Sequence, residues 1–255
     1  MIFSWLRNRR RRKIRAKPFP EAWLDLLSRH VPFYESLSTN DQDKLRDDMH
    51  VFIEEKDWVG IDGLDITDEI RVVIAAQACL LLVGFQKHRY FHNVKSIIVH
   101  PTTYTTRDVD FEGVVVREQT VPVAGQAYHR GPVLLSWSHV QHGGKYHEDG
   151  RNVVIHEFAH KLDMMDGLVD GTPPLKIRKS YRRWIDVMTR EFENLKSPRK
   201  KRGARLLDEY GATNPAEFFA VASECFFEQA SRMRHKHPEL YEILRGYYQQ
   251  DPAEW

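Results

Sequence analysis

Residues 151–167, RNVVIHEFAHKLDMMDG, constrain the fold of this chain more than any other stretch. Val153, Val154, Ile155, Phe158, Ala159 and Leu162 make a helix here apolar nearly all round, so it belongs inside a core. His156, Glu157 and His160 nevertheless sit within it. Buried polar groups need partners. On a helix, positions i and i+4 lie one above the other, so His156 and His160 can present ring nitrogens to a single metal ion. Glu157, turned by about 100°, is placed to hold a water bound to that ion rather than the ion itself. Two neutral imidazoles suit Zn²⁺, one per chain, which lowers the pKa of a bound water towards ~7 and polarises a carbonyl. Glu157 is then the base that takes the water's proton and passes it to a leaving amine. The competing possibility is a core helix whose histidines are satisfied by ordinary hydrogen bonds.

A zinc site with a reactive water needs a third protein ligand, and two residues compete for it. Asp166 falls ten residues after His156, where some metallopeptidases place theirs. Those enzymes carry a glycine where this chain has Asp163, because the chain must turn sharply back to the metal. The second candidate is Glu217, in Asn214-Pro215-Ala216-Glu217. Asn214 as N-cap and Pro215 behind it predict a helix start, which also offers Glu217 a plain capping role. Phe218, Phe219, Val221, Ala222, Cys225 and Phe226 make that helix apolar, so an inward carboxylate there needs a cation nearby. Glu224, seven residues on, shares the face of Glu217 and is suited to hydrogen-bond a ligand histidine.

The rest of the chain predicts an α+β fold, mostly helical with a small mixed sheet. Helices are expected from Glu21, from a capped start at Ser38-Thr39-Asn40, and from Thr67 to Leu82 with Gly84 ending it. The middle third holds short β-branched or apolar runs at 96–101, 113–118 and 132–137. Helices return at 151–164 and at about 175–195, 214–231 and 238–249. VLLSWSHV (133–140) is expected to be an edge strand lining the cleft, able to pair with an extended substrate. His139, His142 and His147 follow it as loop residues near the cleft. No Gly-rich phosphate loop occurs, which counts against nucleotide-binding classes.

Charge divides the chain unevenly. Residues 1–20 carry eight basic side chains and no acids, leaving 30 basic against 36 acidic residues beyond them, a net charge of −6. Positions 1–20 are expected to form a disordered basic tail, and 21–255 a single domain. SPRKKRGAR (197–205) is expected to be an exposed basic loop. A signal peptide places its charges before a long apolar core, and the order here is the reverse. The longest apolar run, 72–83, falls short of the ~20 residues a membrane span requires. Cys79 and Cys225 are far apart in apolar surroundings and read as buried structural thiols. A cytoplasmic protein is the expectation.

HEFAHKLDMMDG followed by EYGATNPAEFFAVASECFFE resembles the Mlc titration factor family of bacterial zinc-dependent peptidases. The resemblance extends over nearly the whole chain, including the N-terminal tryptophan and basic run. That family is similar in its metal site to the catalytic domain of anthrax lethal factor. The resemblance implies a zincin-like metallopeptidase with aminopeptidase activity on peptide substrates. It also implies binding, in the cytosol, to the glucose-responsive transcriptional repressor Mlc, and so an effect on expression of the glucose phosphotransferase system. By the same resemblance His156, His160 and Glu217 bind zinc, Glu157 is the base, and Tyr210, seven residues before Glu217, assists.

Two other classes compete with the peptidase. One is a regulatory protein that sequesters a repressor, its hydrolysis secondary or vestigial. An intact Glu157 speaks against a vestigial site, since a structural zinc needs no base. The other is a nucleic-acid-binding protein using the basic tail. It has no recognition motif beyond charge, and the acidic body repels a duplex, so no direct nucleic-acid contact is expected.

Overall fold

A computed structural model describes residues 2–88, 90–112, 115–128, 131–146, 149–175, 178–198 and 205–255. Four helices come first: α1 (Ile2–Arg15), α2 (Glu21–His30), α3 (Phe33–Ser36) and α4 (Thr39–Glu55). Strand β1 (Asp57–Gly60), helix α5 (Asp68–Leu80) and strand β2 (Ser96–His100) then form a parallel crossover. A hairpin of β3 (Tyr104–Glu112) and β4 (Val115–Val123) leads into two short strands, β5 (Gly125–Ala127) and β6 (Val133–Ser136). Helices α6 (Trp137–Lys145), α7 (Val153–Asp163), α8 (Arg178–Lys196), α9 (Pro215–Glu228), α10 (Ala230–Lys236) and α11 (Pro238–Tyr248) complete the chain. The main sheet runs β1-β2-β6-β5. Its first three strands are parallel and β5 is antiparallel at the edge, so the sheet is mixed as expected.

The caps read from the sequence are in place. Ser38 Oγ accepts the Asp41 amide at 3.2 Å to start α4, and Thr67 Oγ1 accepts that of Ile70 at 3.3 Å to start α5. Helix α5 is buried along its length, including Gln77, whose side chain donates to Val73 O at 3.0 Å. One apolar core runs from Trp23 to Tyr248. At its centre Phe158 of α7 meets Phe52 of α4 and Phe91 edge-on, with ring centroids 5.6 and 4.7 Å apart. Cys79 and Cys225 are both buried free thiols. Lys56 is buried where α4 meets β1, and its ammonium donates to the carbonyls of Tyr90, Phe91 and Val94 at 2.9–3.0 Å. It thereby ties down the segment that leads into β2.

Three expectations are corrected. Residues 2–15 are not a disordered tail: they form α1, which packs on α4 through a forked Arg11–Glu55 pair at 2.6 and 2.8 Å. Strand β6 ends at Ser136, so Trp137, His139 and His142 belong to helix α6. It is also an interior strand with β2 and β5 on its two sides, and the edge is β5. The expected strand at 113–118 begins at Val115 and runs to Val123, while 113–114 lie outside the described residues. His147 and positions 199–204 of the second basic cluster also lie outside them.

Candidate metal centre

Asn152 starts α7. Its Oδ1 accepts the amides of Val154 and Ile155 at 3.1 and 3.0 Å, and two glutamates of α9 hold it from below. Glu224 Oε2 accepts the Asn152 amide at 2.6 Å, and Glu228 Oε1 accepts from Asn152 Nδ2 at 3.0 Å. The start of α9 is fixed just as locally: Asn214 Oδ1 accepts the Glu217 amide at 3.0 Å, with Pro215 in the first turn. The Glu217 carboxylate does not fold back to close a capping box. It reaches across to α7 instead.

There His156 Nε2, His160 Nε2 and Glu217 Oε2 converge, separated by 3.0, 3.3 and 3.3 Å. They form the one group of potential metal ligands found among the described residues. Glu217 Oε2 can accept from both rings, but the two Nε2 atoms, 3.3 Å apart, then face each other as donors and cannot satisfy one another. A shared cation satisfies all three. Ligands about 2.0–2.1 Å from a tetrahedral zinc stand roughly 3.3 Å apart, which is the spacing seen here. The donor set therefore fits a divalent ion of the zinc class.

The surroundings orient this set. His156 Nδ1 meets Glu224 Oε1 at 2.7 Å, so the carboxylate fixes the ring with Nε2 towards the cluster. Burial opposes charge on His156, yet Glu224 and Glu217 outweigh it and hold its pKa well above the usual value. Burial likewise opposes charge on Glu217, and the two imidazoles outweigh it, holding the carboxyl at about 2. Metal binding by these groups would therefore be coupled to proton release. His160 Nδ1 is buried with no hydrogen-bond partner among the described residues.

Glu157 occupies the next helix position. It is buried, and desolvation above all raises its carboxyl to about 7. It faces β5: a Cβ on Gly125 would lie 2.6 Å from Glu157 Oε1. Only glycine lets this strand pass so close to the carboxylate. Tyr210 stands at the mouth of the site, 56% exposed, its ring 6.0 Å from that of His156. Asp166 is exposed and outside the cluster, and its Oδ1 accepts the Leu168 amide at 3.0 Å. Asp163 is buried, with Oδ2 accepting the Gly171 amide at 2.9 Å.

Three nearby residues escaped sequence reasoning. Gly125 carried a signal, a lone glycine between strand-like runs. Lys161, fully buried on α7, donates to Tyr128 O and, at 3.2 Å, to Gly131 O, and so fastens the turn between β5 and β6. Its lysine identity pointed instead to the surface. Tyr104, at the start of β3, stacks on His100 at 4.3 Å. Burial first, and then the charge of Glu157, raises its phenol. Nothing local in the sequence places it there.

The model of a family described as glucose-regulated metallo-peptidase M90 matches residues 5–249. An uncharacterized protein of Synechocystis sp. is 37% identical over 250 residues, covering 97% of this chain and 90% of that protein. Mlc titration factor A of Klebsiella pneumoniae (strain 342) is 32% identical over 230 residues, covering 88% and 84%. Mlc titration factor A of Serratia proteamaculans is 30% identical over 236 residues, covering 90% and 87%.

Proposed function

The chain belongs to the glucose-regulated metallo-peptidase M90 family, and we propose that it is a zincin-like zinc peptidase that hydrolyses peptide amides. The observation that carries this is the triangle formed by His156, His160 and Glu217, with Glu157 buried beside it. When bound, zinc supplies an acidified water and polarises the scissile carbonyl. The chain's own groups do the rest. Glu157, near neutrality at about 7, takes a proton from the attacking water and returns it to the leaving amine. Strand β5, at the edge of the sheet and against Glu157, is the backbone on which an extended peptide adds as a further strand. Tyr210, at the mouth, donates its phenolic hydrogen to the oxyanion as it develops.

Aminopeptidase specificity belongs to the same proposal and rests on the family resemblance. Of the acids that could anchor a free α-amine, Glu224 and Asp163 accept internal hydrogen bonds, which leaves Asp166, exposed on the segment that follows α7. We further propose an Mlc-like repressor as partner and a cytoplasmic location, on the names of the titration-factor relatives. Glu157→Gln tests the peptidase. It should keep fold and zinc content while losing most hydrolysis of a chromogenic amino-acid amide, and it should still pull down the repressor. Near wild-type hydrolysis by this variant would remove Glu157 from the mechanism. Loss of the repressor would move the partner's surface into the cleft.

A further inference from the structure

Helix α1 has two unlike sides. Ile14 packs with Val51 and Tyr90, and the Arg11 guanidinium lies 4.3 Å over the Tyr90 ring while forking onto Glu55. These residues mark the side that faces the body. Trp5, nine residues before Ile14 at about 100° each, lies on the opposite side and is 56% exposed. Leu6, turned about 100° from Trp5 and so on the flank of that side, is 49% exposed. Arg9, whose guanidinium sits 5.6 Å from the Trp5 ring centroid, and Arg12 follow Trp5 on that outer side. Lys13 and Arg15 are exposed on its flanks, and Arg7 is exposed on the side of Ile14. A strongly cationic helix thus turns an aromatic and an aliphatic side chain outwards, on a protein whose remainder is net negative.

A solvated helix face needs neither Trp5 nor Leu6. A nucleic-acid duplex would use the cations and gain nothing from an exposed leucine. An anionic bilayer surface takes all of these groups. Tryptophan favours the headgroup level, an aliphatic neighbour enters the acyl boundary, and arginines reach lipid phosphates. The acidic body, repelled by the same surface, would point away and orient the molecule. No helix among the described residues is long and apolar enough to cross a membrane.

We propose that α1 is a peripheral membrane-binding element that lays its Trp5–Arg9–Arg12 side on an anionic phospholipid bilayer. Co-sedimentation of the full chain with phosphatidylcholine vesicles, pure or containing about one third phosphatidylserine, tests it. Binding should require phosphatidylserine and weaken with salt. Each of Arg9→Gln, Arg12→Gln and Lys13→Gln should weaken it about fivefold, and the triple variant about a hundredfold. Trp5→Ala should cost about tenfold. Thermal unfolding should not change, because none of these side chains forms the Arg11–Glu55 or Ile14 anchor. Indifference to phosphatidylserine, or full binding by the triple variant, overturns the proposal. So does tighter binding to duplex DNA that ignores Trp5→Ala, an outcome that assigns the helix to nucleic acid.

Discussion

Glu217 and Glu228 lie on one face of α9, and burial pushes both towards the neutral form. They end at opposite extremes. Glu217 meets the two imidazoles of α7 and is held at about 2. Glu228 meets Asn152, and its Oε2 is buried without a partner among the described residues. Its carboxyl rises to about 9, chiefly by burial, with the Asn152 bond opposing and the charges of Asp149 and Glu224 adding. Burial favours the neutral carboxyl, and facing cationic groups or enough donated hydrogen bonds keep it ionised. The acidic stripe of α9 is therefore two devices. One end is anionic and able to hold a cation. The other is a neutral clamp on the N-cap of the helix that carries the histidines.

Removing the anionic end should have the largest effect. Glu217→Ala leaves two imidazoles and no carboxylate ligand, so zinc affinity should fall by more than about a hundredfold, beyond what loss of an outer partner costs. Hydrolysis should go with it. Zinc per chain after dialysis against a mild chelator measures this, and full retention would break the contrast between the two ends.

The neutral end should behave in the opposite sense. Unfolded, Glu228 ionises near 4.5; folded, it keeps its proton to about 9. The folded state thus binds more protons across that window, and stability falls as pH rises through it. Glu228→Gln keeps the acceptor for Asn152 and removes the ionisation. It should raise stability at pH 8 by on the order of 2 kcal/mol, with little change at pH 5 beyond the swap itself. Thermal unfolding of both proteins across this range decides it. A wild-type profile no steeper than that of the variant would mean that Glu228 is ionised in the folded protein.

What could be foreseen about these elements depended on how local the cause was. The apolar periodicity of α7, the caps Ser38, Thr67 and Asn214, and the i, i+4 pair of histidines are each decided within one helical turn, and they read directly. Glu217 and Asp166 could be ranked but not settled as ligands, because the choice rests on how α9 docks across α7. Strand β5 is only three residues long, too short for any alternation to show. Residues 133–140 contain no glycine or proline to mark a break, so the change from strand to helix at Trp137 left no trace. In α1 the cations hid the anchor, since the partner of Arg11 lies 44 residues away.

The smallest effect should come from Asp166, the acid that spacing alone favoured. Beyond Asp163 the chain makes one tight turn, Met164–Asp166, and leaves through Gly167, whose φ of 98° only glycine adopts without strain. That path carries Asp166 outwards, where its carboxylate accepts the Leu168 amide. Asp163 stays inside, held by the Gly171 amide, so no early turn returns the chain to the histidines. Asp166→Ala therefore removes one exposed loop hydrogen bond and should cost about 1 kcal/mol or less, with zinc per chain unchanged. Hydrolysis of substrates blocked at the amine should also be unchanged, whereas a selective loss on free-amine substrates would identify Asp166 as the group that anchors the α-amine. Loss of zinc in this variant, with retention in Glu217→Ala, would exchange the two residues and place the third ligand on the segment that follows α7.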